Sequence, residues 1–276
     1  MLEDAAAMKR ISSRHHPLVA RCRALARGRT DAPRLLLDGL HLVADAARAG
    51  LSIEVVAFSA RALAGGEASL LAERLAADGV EVVEAADTVM EALSPVSTPS
   101  GVVGIAHCPP TSLDAVLARS PQLVVVAVDV QDPGNAGAIV RAAEAGGATG
   151  VVFCGASADP FGWKALRGSM GSALRLPLGF GIELSGAVEG VRRAGLRVAA
   201  TLPRGGRAPD GVDLRQPVAL LLGGEGPGLP ADVVAAADDR VTIPMQPPVE
   251  SLNVAVAAAL LVYEAARQRR GGGAHP

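Results

Sequence analysis

The chain has 276 residues, a net charge of −2 and a half-hydrophobic composition with only one Trp, one Tyr and four Phe, so it can hold one large domain or two ordinary ones around a core of Ala, Leu and Val. Three scattered cysteines, Cys22, Cys108 and Cys154, form no CxxC pair, which argues against a zinc site, any other metal and a disulfide framework. No eighteen-residue apolar run and no signal-peptide core is present, so a soluble, cytoplasmic protein with no membrane association is expected.

Near the N-terminus, eight Lys or Arg fall between Lys9 and Arg34 against one acid, Asp31. A local basic stripe of this kind is the electrostatic footprint of phosphate binding, or else a solvated helix face. Lys9, Arg10, Arg14 and Arg21 are its candidate nucleic-acid contacts. The scarcity of aromatics argues against a stacking platform for single strands.

In order, the pattern predicts a helix over 15–27 ended by Gly28, a strand over 34–37 and a helix over 40–49. A strand over 52–58, a helix over 67–77, a strand over 80–83, a short helix over 89–93 and a closing strand over 101–106 follow. This alternation describes a compact α/β domain over 1–106. Pro109, Pro110 and Pro121 mark 107–120 as a linker. The second domain, 121–270, opens on a buried strand over 122–130. A turn, a helix over 136–145, a strand over 150–154 and a helix carrying Arg167 and Ser169 come next. A helix over 185–194 and a strand over 196–201 lead into a Pro/Gly/Arg-rich loop over 201–211. The tail, 271–276, reads as disordered.

Two stretches near the C-terminus carry the chemistry. The apolar strand 218–222 stops at Gly223-Gly224-Glu225-Gly226-Pro227-Gly228, where four glycines surround one carboxylate. Glycine permits positive φ and close approach of backbone to a ligand. A second strand, 241–243, enters a Pro-rich loop ending at Ser251-Leu252-Asn253, from which an Ala/Leu-rich helix runs on. Loops at strand C-termini are where open α/β sheets bind ligands. A dinucleotide fingerprint is disfavoured, because GGEGPG lies late in the chain, contains Glu and has no lysine.

Joined to Asp129–Gly147, these stretches resemble the three signature motifs of the SpoU (TrmH-type) RNA 2′-O-ribose methyltransferases of the SPOUT superfamily. Asn135, Gly137 and Arg141 match the first motif, Gly223, Glu225, Gly226 and Gly228 the second. Ile243, Pro244, Met245, Ser251, Leu252 and Asn253 match the third, in order and near the usual spacing. One departure is Gln246-Pro247-Pro248, where the family usually has a Gly soon after Pro-Met. More loosely, RLLLDGLHLVADAARAG and LSPVSTPSGVVGIA resemble the start and end of the family's small substrate-binding domain, which is related to ribosomal proteins.

The resemblance implies a trefoil-knotted C-terminal domain, an arrangement the physics of chain connections would not suggest. It implies S-adenosylmethionine held by Thr201, Gly223, Gly224, Glu225, Gly226, Ile243, Met245 and Leu252. Asn135, Arg141, Glu225, Ser251 and Asn253 are the implied catalytic set, and Arg167 and Ser169 are implied to lie close to RNA. It further implies a homodimer that buries the last helix. The favoured substrate is a structured RNA, 23S ribosomal RNA ahead of transfer RNA, and a catalytically inactive RNA-binding protein is the rival reading. The residues leave roles open. Arg141 can pair with Glu144 at i,i+3, Asn135 can cap its helix, and Ser251 and Asn253 can cap the last one.

Overall fold

The computed structural model describes residues 8–28, 33–120, 122–226 and 228–271. It forms two compact units, one of residues 1–109 with 161–163, the other of 110–160 with 164–276. Residues 1–7, Arg29, Asp31, Pro121, Pro227 and the expected tail beyond Gly271 lie outside the described residues.

In the first unit β1 (Lys9–Ile11), α1 (Pro17–Ala26), β2 (Arg34–Asp38), α2 (Leu40–Arg48), β3 (Ile53–Ser59), α3 (Ala60–Leu63), α4 (Gly66–Ala77), β4 (Glu81–Ala85), α5 (Asp87–Leu93) and β5 (Val102–His107) follow one another. The sheet order is β1-β4-β3-β5-β2. β1, β4 and β3 are parallel, and β5 runs antiparallel to both β3 and β2. Leu18, Val19 and Cys22 from α1 and Val89, Met90 and Leu93 from α5 pack on Val55, Ala57, Val83 and Ile105. The basic stretch 9–14 is not helical. Lys9 and Arg10 sit in β1, and α1 starts only at Pro17, with His16 Nδ1 accepting from Leu18 N at 3.3 Å.

The second unit holds α6 (Leu113–Leu117), β6 (Leu123–Val128), α7 (Pro133–Ala145), β7 (Gly150–Cys154), α8 (Trp163–Ser169), β8 (Leu178–Ile182), α9 (Leu184–Arg193), β9 (Arg197–Thr201), β10 (Val218–Gly223), α10 (Ala231–Ala236), β11 (Asp239–Val241) and α11 (Val254–Gly271). Short 3₁₀ turns occupy Ser172–Leu174 and Pro209–Gly211. All six strands are parallel, in the order β11-β9-β10-β6-β7-β8. Burial on both faces explains why 123–128 and 218–222 read as unbroken apolar runs. One face carries Val124, Val126, Val152, Val198, Ala219 and Leu221 under α6, α9 and α10. The alternate residues, among them Val125, Phe153 and Leu220, are also fully buried, on the side where α7 and α11 pack on each other and on the sheet.

The expected linker 107–120 is therefore only partly one. Its first residue closes β5, and its second half forms α6, whose Val116 is fully buried. β11 spans Asp239–Val241 rather than 241–243. Its first residue is a buried carboxylate that accepts from Arg197 at 2.6 Å and from Arg207.

Candidate active site

Strand order reverses between β6 and β10, and the C-terminal ends of β9, β10 and β6 lie side by side there. Such a switch point is where loops part and leave room for a ligand. The ladder continues one residue beyond β10, with Gly224 N donating to Val128 O at 2.7 Å. A Cβ on Gly224 would lie 2.0 Å from Asp129 O, so only glycine fits this crossing. A Cβ on Gly223 would meet the backbone of Gly228 and Leu229 at 2.7–2.8 Å, and Gly228 itself has φ +74°. The glycines fold the loop back against its own strand end.

That fold leaves a cavity of about 460 Å³. Thr201, Gly223, Gly224, Glu225, Gly226, Ile243, Met245, Ser251 and Leu252, all singled out from the sequence, line it. Gly228 of the second motif also lines it, and Leu202, Pro203, Leu222, Leu229, Val241, Val254 and Ala257, not singled out as site residues from the sequence, complete the wall. Leu222, Leu229 and Val254 flank a motif residue by one position, and Val254 and Ala257 are the first apolar turn of α11, so only their neighbours carried a signal. The wall is apolar on the Ile243, Met245 and Leu252 side, and Glu225 is its one carboxylate. Thr201 Oγ1 is occupied, donating to Leu221 O at 2.7 Å.

Glu225, Asn135 and Asn253 join in one hydrogen-bonded chain. Asn135 Nδ2 donates to Glu225 Oε1 at 2.7 Å, and Asn253 Nδ2 donates to Asn135 Oδ1 at 3.0 Å. The other side of Asn253 caps α11, its Oδ1 accepting from Ala255 N at 2.9 Å and Val256 N at 3.3 Å. Asn135 is not a cap, because Asp132 takes that place and accepts from Asn135 N at 2.8 Å. Both Asn135 amide atoms are thus free for the loops. The first, second and third motifs meet in these three side chains.

Arg141 is exposed and makes no hydrogen bond or ion pair among the described residues. The i,i+3 pairing with Glu144 is not formed. Glu144 instead receives both arms of Arg175, at 2.8 and 2.7 Å. Burial raises the Glu144 carboxyl, but the hydrogen bonds from Arg175 and Ser172 outweigh it and hold the group below the usual range. Arg167 is exposed on α8. Ser169 is fully buried, with its hydroxyl bonded to Leu166 O at 2.8 Å, so it is placed to finish its helix and not to meet RNA. Gly137 explains the tight seat of α8: a Cβ there would lie 2.3 Å from Ala165 O. The thiols of Cys22 and Cys154 are pushed up to about 12, chiefly by burial, which removes them as nucleophiles at neutral pH. Among the described residues no cluster of His, Cys, Asp and Glu could hold a metal ion, and no helix is long and apolar enough to cross a membrane.

In the first unit the stripe splits. Arg10 pairs with Glu84 at 3.3 Å, and Arg14 with Glu91 at 3.5 Å and Thr88 O at 3.0 Å. Arg21 bonds Glu54, while Lys9 is exposed.

Residues 122–263, which contain all three motifs, match the SpoU rRNA Methylase family. The chain belongs to that family. Residues 17–104 match the MRM3-like substrate binding domain. This SpoU protein is 34% identical to an uncharacterized tRNA/rRNA methyltransferase of Synechocystis over 94% of both chains. It is 29% identical to the 23S rRNA (guanosine(2553)-2′-O)-methyltransferase RlmP of Bacillus subtilis, over 85% of this chain and 89% of that one. An AdoMet-bound rRNA methyltransferase from Sinorhizobium meliloti superposes with a TM-score of 0.85 at 30% identity, covering 97% and 99% of the two chains.

Proposed function

We propose that this SpoU protein methylates a ribose 2′-hydroxyl of a structured RNA with S-adenosylmethionine as donor, and that the RNA is 23S ribosomal RNA before transfer RNA. The observation that carries the reading is the Asn135–Glu225–Asn253 chain beside the glycine-loop cavity. The names of the B. subtilis and S. meliloti relatives support the substrate and the donor.

The cavity fits the donor on its own terms. Its size falls within the roughly 300–1,000 Å³ of small-molecule sites. Ile243, Met245 and Leu252 offer an apolar slot, the glycine loop offers backbone polar groups, and Glu225 is a carboxylate suited to a cationic centre. S-adenosylmethionine bound there supplies an electrophilic methyl group. The chain's own task is alignment, which can supply much of the rate of a direct displacement. Glu225, tied to Asn135, holds the second-motif loop against the start of α7, and Asn253 holds the third-motif loop to both. Arg141, further along α7, offers a guanidinium fork of N–H donors and no acceptor. It grips the target phosphate or hydroxyl, and the hydroxyl proton leaves to solvent.

The same reading includes a homodimer and the trefoil crossing of the family. Val256, Leu260 and Tyr263 are about half exposed and spaced i, i+4, i+7 along α11, one apolar stripe that a second copy would cover. The deciding experiment offers labelled donor with unmodified 23S rRNA and with tRNA, then maps 2′-O-methyl positions. A methyl found only in tRNA refutes the ribosomal substrate, and a methyl found on a base refutes the ribose.

A further inference from the structure

We propose that Arg21, Arg34 and His107, gathered around Glu54, form a clamp for a phosphodiester of the RNA substrate. The proposal rests on reading the protein as an RNA methyltransferase and adds where the first unit grips its substrate.

The sheet builds the cluster. Arg34 opens β2 and His107 closes β5, and the antiparallel register pairs these two residues directly. β3 runs antiparallel on the other side of β5, with Ile53 opposite Ala106, which brings Glu54 to the same end. Arg21 reaches the same carboxylate from α1. Glu54 accepts from Arg34 Nε and Arg21 Nη2, and His107 Nε2 lies 3.2 Å away.

Charge decides what the cluster can do. Arg10 and Arg14 each face their own acid and are neutralised one to one. Around Glu54 two guanidinium groups share one carboxylate, an excess of one positive charge that grows to two when His107 is protonated. Each arginine bonds Glu54 through a single N–H and has no other partner among the described residues, which leaves most of its five donors open to them. The side chains of Arg21, Arg34 and His107 are 45%, 30% and 49% exposed and Glu54 only 20%, so the cations face outward over the acid that aligns them. Burial opposes ionisation of Glu54, but the bonds from Arg34 and Arg21 outweigh it and keep the carboxylate charged. Arg23 and Arg27, exposed on and just after α1 and without an ion pair among the described residues, extend the positive surface. Planar guanidinium forks held in place, with charge to spare, are what phosphate oxygens select. A plain ion-pair staple would balance its charges.

The test uses the full chain and an unmodified 23S rRNA transcript, with binding measured over a range of salt. Arg21→Gln and Arg34→Gln should each weaken binding several-fold and reduce the slope of log K against log salt by about one. Glu54→Gln removes no cation and should keep the full slope. Donor affinity should not move in any of them. Arg21 is the more exposed arginine, so Arg21→Gln carries the test if Arg34→Gln unfolds. A wild-type slope in a folded Arg21→Gln protein overturns the clamp. Failure of the wild type to label any RNA would instead refute the methyltransferase reading, and it is read from label incorporation, independently of the slopes.

Discussion

Asn253 serves two masters, and substitution can separate them. Its carbonyl caps α11 and its amide donates to Asn135. Asn253→Asp keeps a capping oxygen but sets an acceptor against Asn135 Oδ1, so stability should hold while turnover falls at least tenfold. Asn253→Ala should lose turnover and also about 1 kcal/mol of stability with the cap. Denaturation midpoints beside initial rates check both, and equal rates for the wild type and Asn253→Asp would remove Asn253 from the working network. Gly224 makes a harsher case. Any side chain there must displace the backbone of Asp129, itself held at φ +56° with its carboxylate accepting from Ala156 N at 2.8 Å. Gly224→Ala should abolish donor binding in calorimetry, because the loop that walls the cavity cannot keep its place. The residues of the three motifs were legible in the sequence through their match to a known family's motifs, which gives residue types and order but not bonding partners. The pairing partners were not: Asp132, the cap, lies in the first stretch but is none of its matched residues, and only the fold brings Arg175 to Glu144.

At the scale of elements, long apolar runs were easy to read and short pieces were not. β1 is three residues of KRI, and β8 (LGFGI) contains two glycines that weaken any strand signal. A Cβ on Gly179 would sit 2.8 Å from Ile182 Cδ1, the movable tip of that side chain. β11 was misplaced by two residues because its paired segment begins with Asp239, a polar residue that only its arginine partners make tolerable in the interior. The Glu144–Arg175 pair ties α7 to the turn after α8 and gives a pH prediction. The folded-state carboxyl titrates below the ordinary Glu value of 4.5, so its contribution is present above that pH and is lost as acid protonates it. Glu144→Gln should cost up to about 1 kcal/mol at neutral pH, a surface-pair magnitude, and the gap to the wild type should close below pH 4.5. A gap that persists unchanged at pH 3 would assign the loss to packing. On α11, Leu260 is 47% exposed within the stripe proposed to be covered by a second copy, so on that proposal Leu260→Glu should leave the helix intact and turn a dimeric wild type into a monomer by light scattering. A monomeric wild type would refute the dimer, and a dimeric mass unchanged by the substitution would refute α11 as its contact.

For the whole molecule, the division of labour follows from where each group is bonded. Every residue lining the cavity falls between Thr201 and Ala257, and the Asn135 network belongs to the same unit. The charge-excess cluster around Glu54 lies wholly in the other. A chain beginning at Pro110 therefore carries the whole described lining of the cavity and none of that cluster. It also carries Phe161 and Trp163, which pack with the first unit, and the Trp163 indole N–H donates to Ala26 O at 3.1 Å. Deletion uncovers both rings, so the shortened chain is best tested with Phe161→Ser and Trp163→Gln to limit aggregation. It should bind the donor within a few-fold of the full protein. Its affinity for 23S rRNA should fall by tenfold or more at low salt, with a shallower salt dependence, because fewer counterions are released. Residual methylation should then rise with RNA concentration rather than with donor concentration. Donor binding lost in a folded 110–276 chain would mean that the first unit shapes the cavity. RNA binding retained with its full salt slope would place the electrostatic grip in the second unit, with Arg141 and Arg167 as its next candidates.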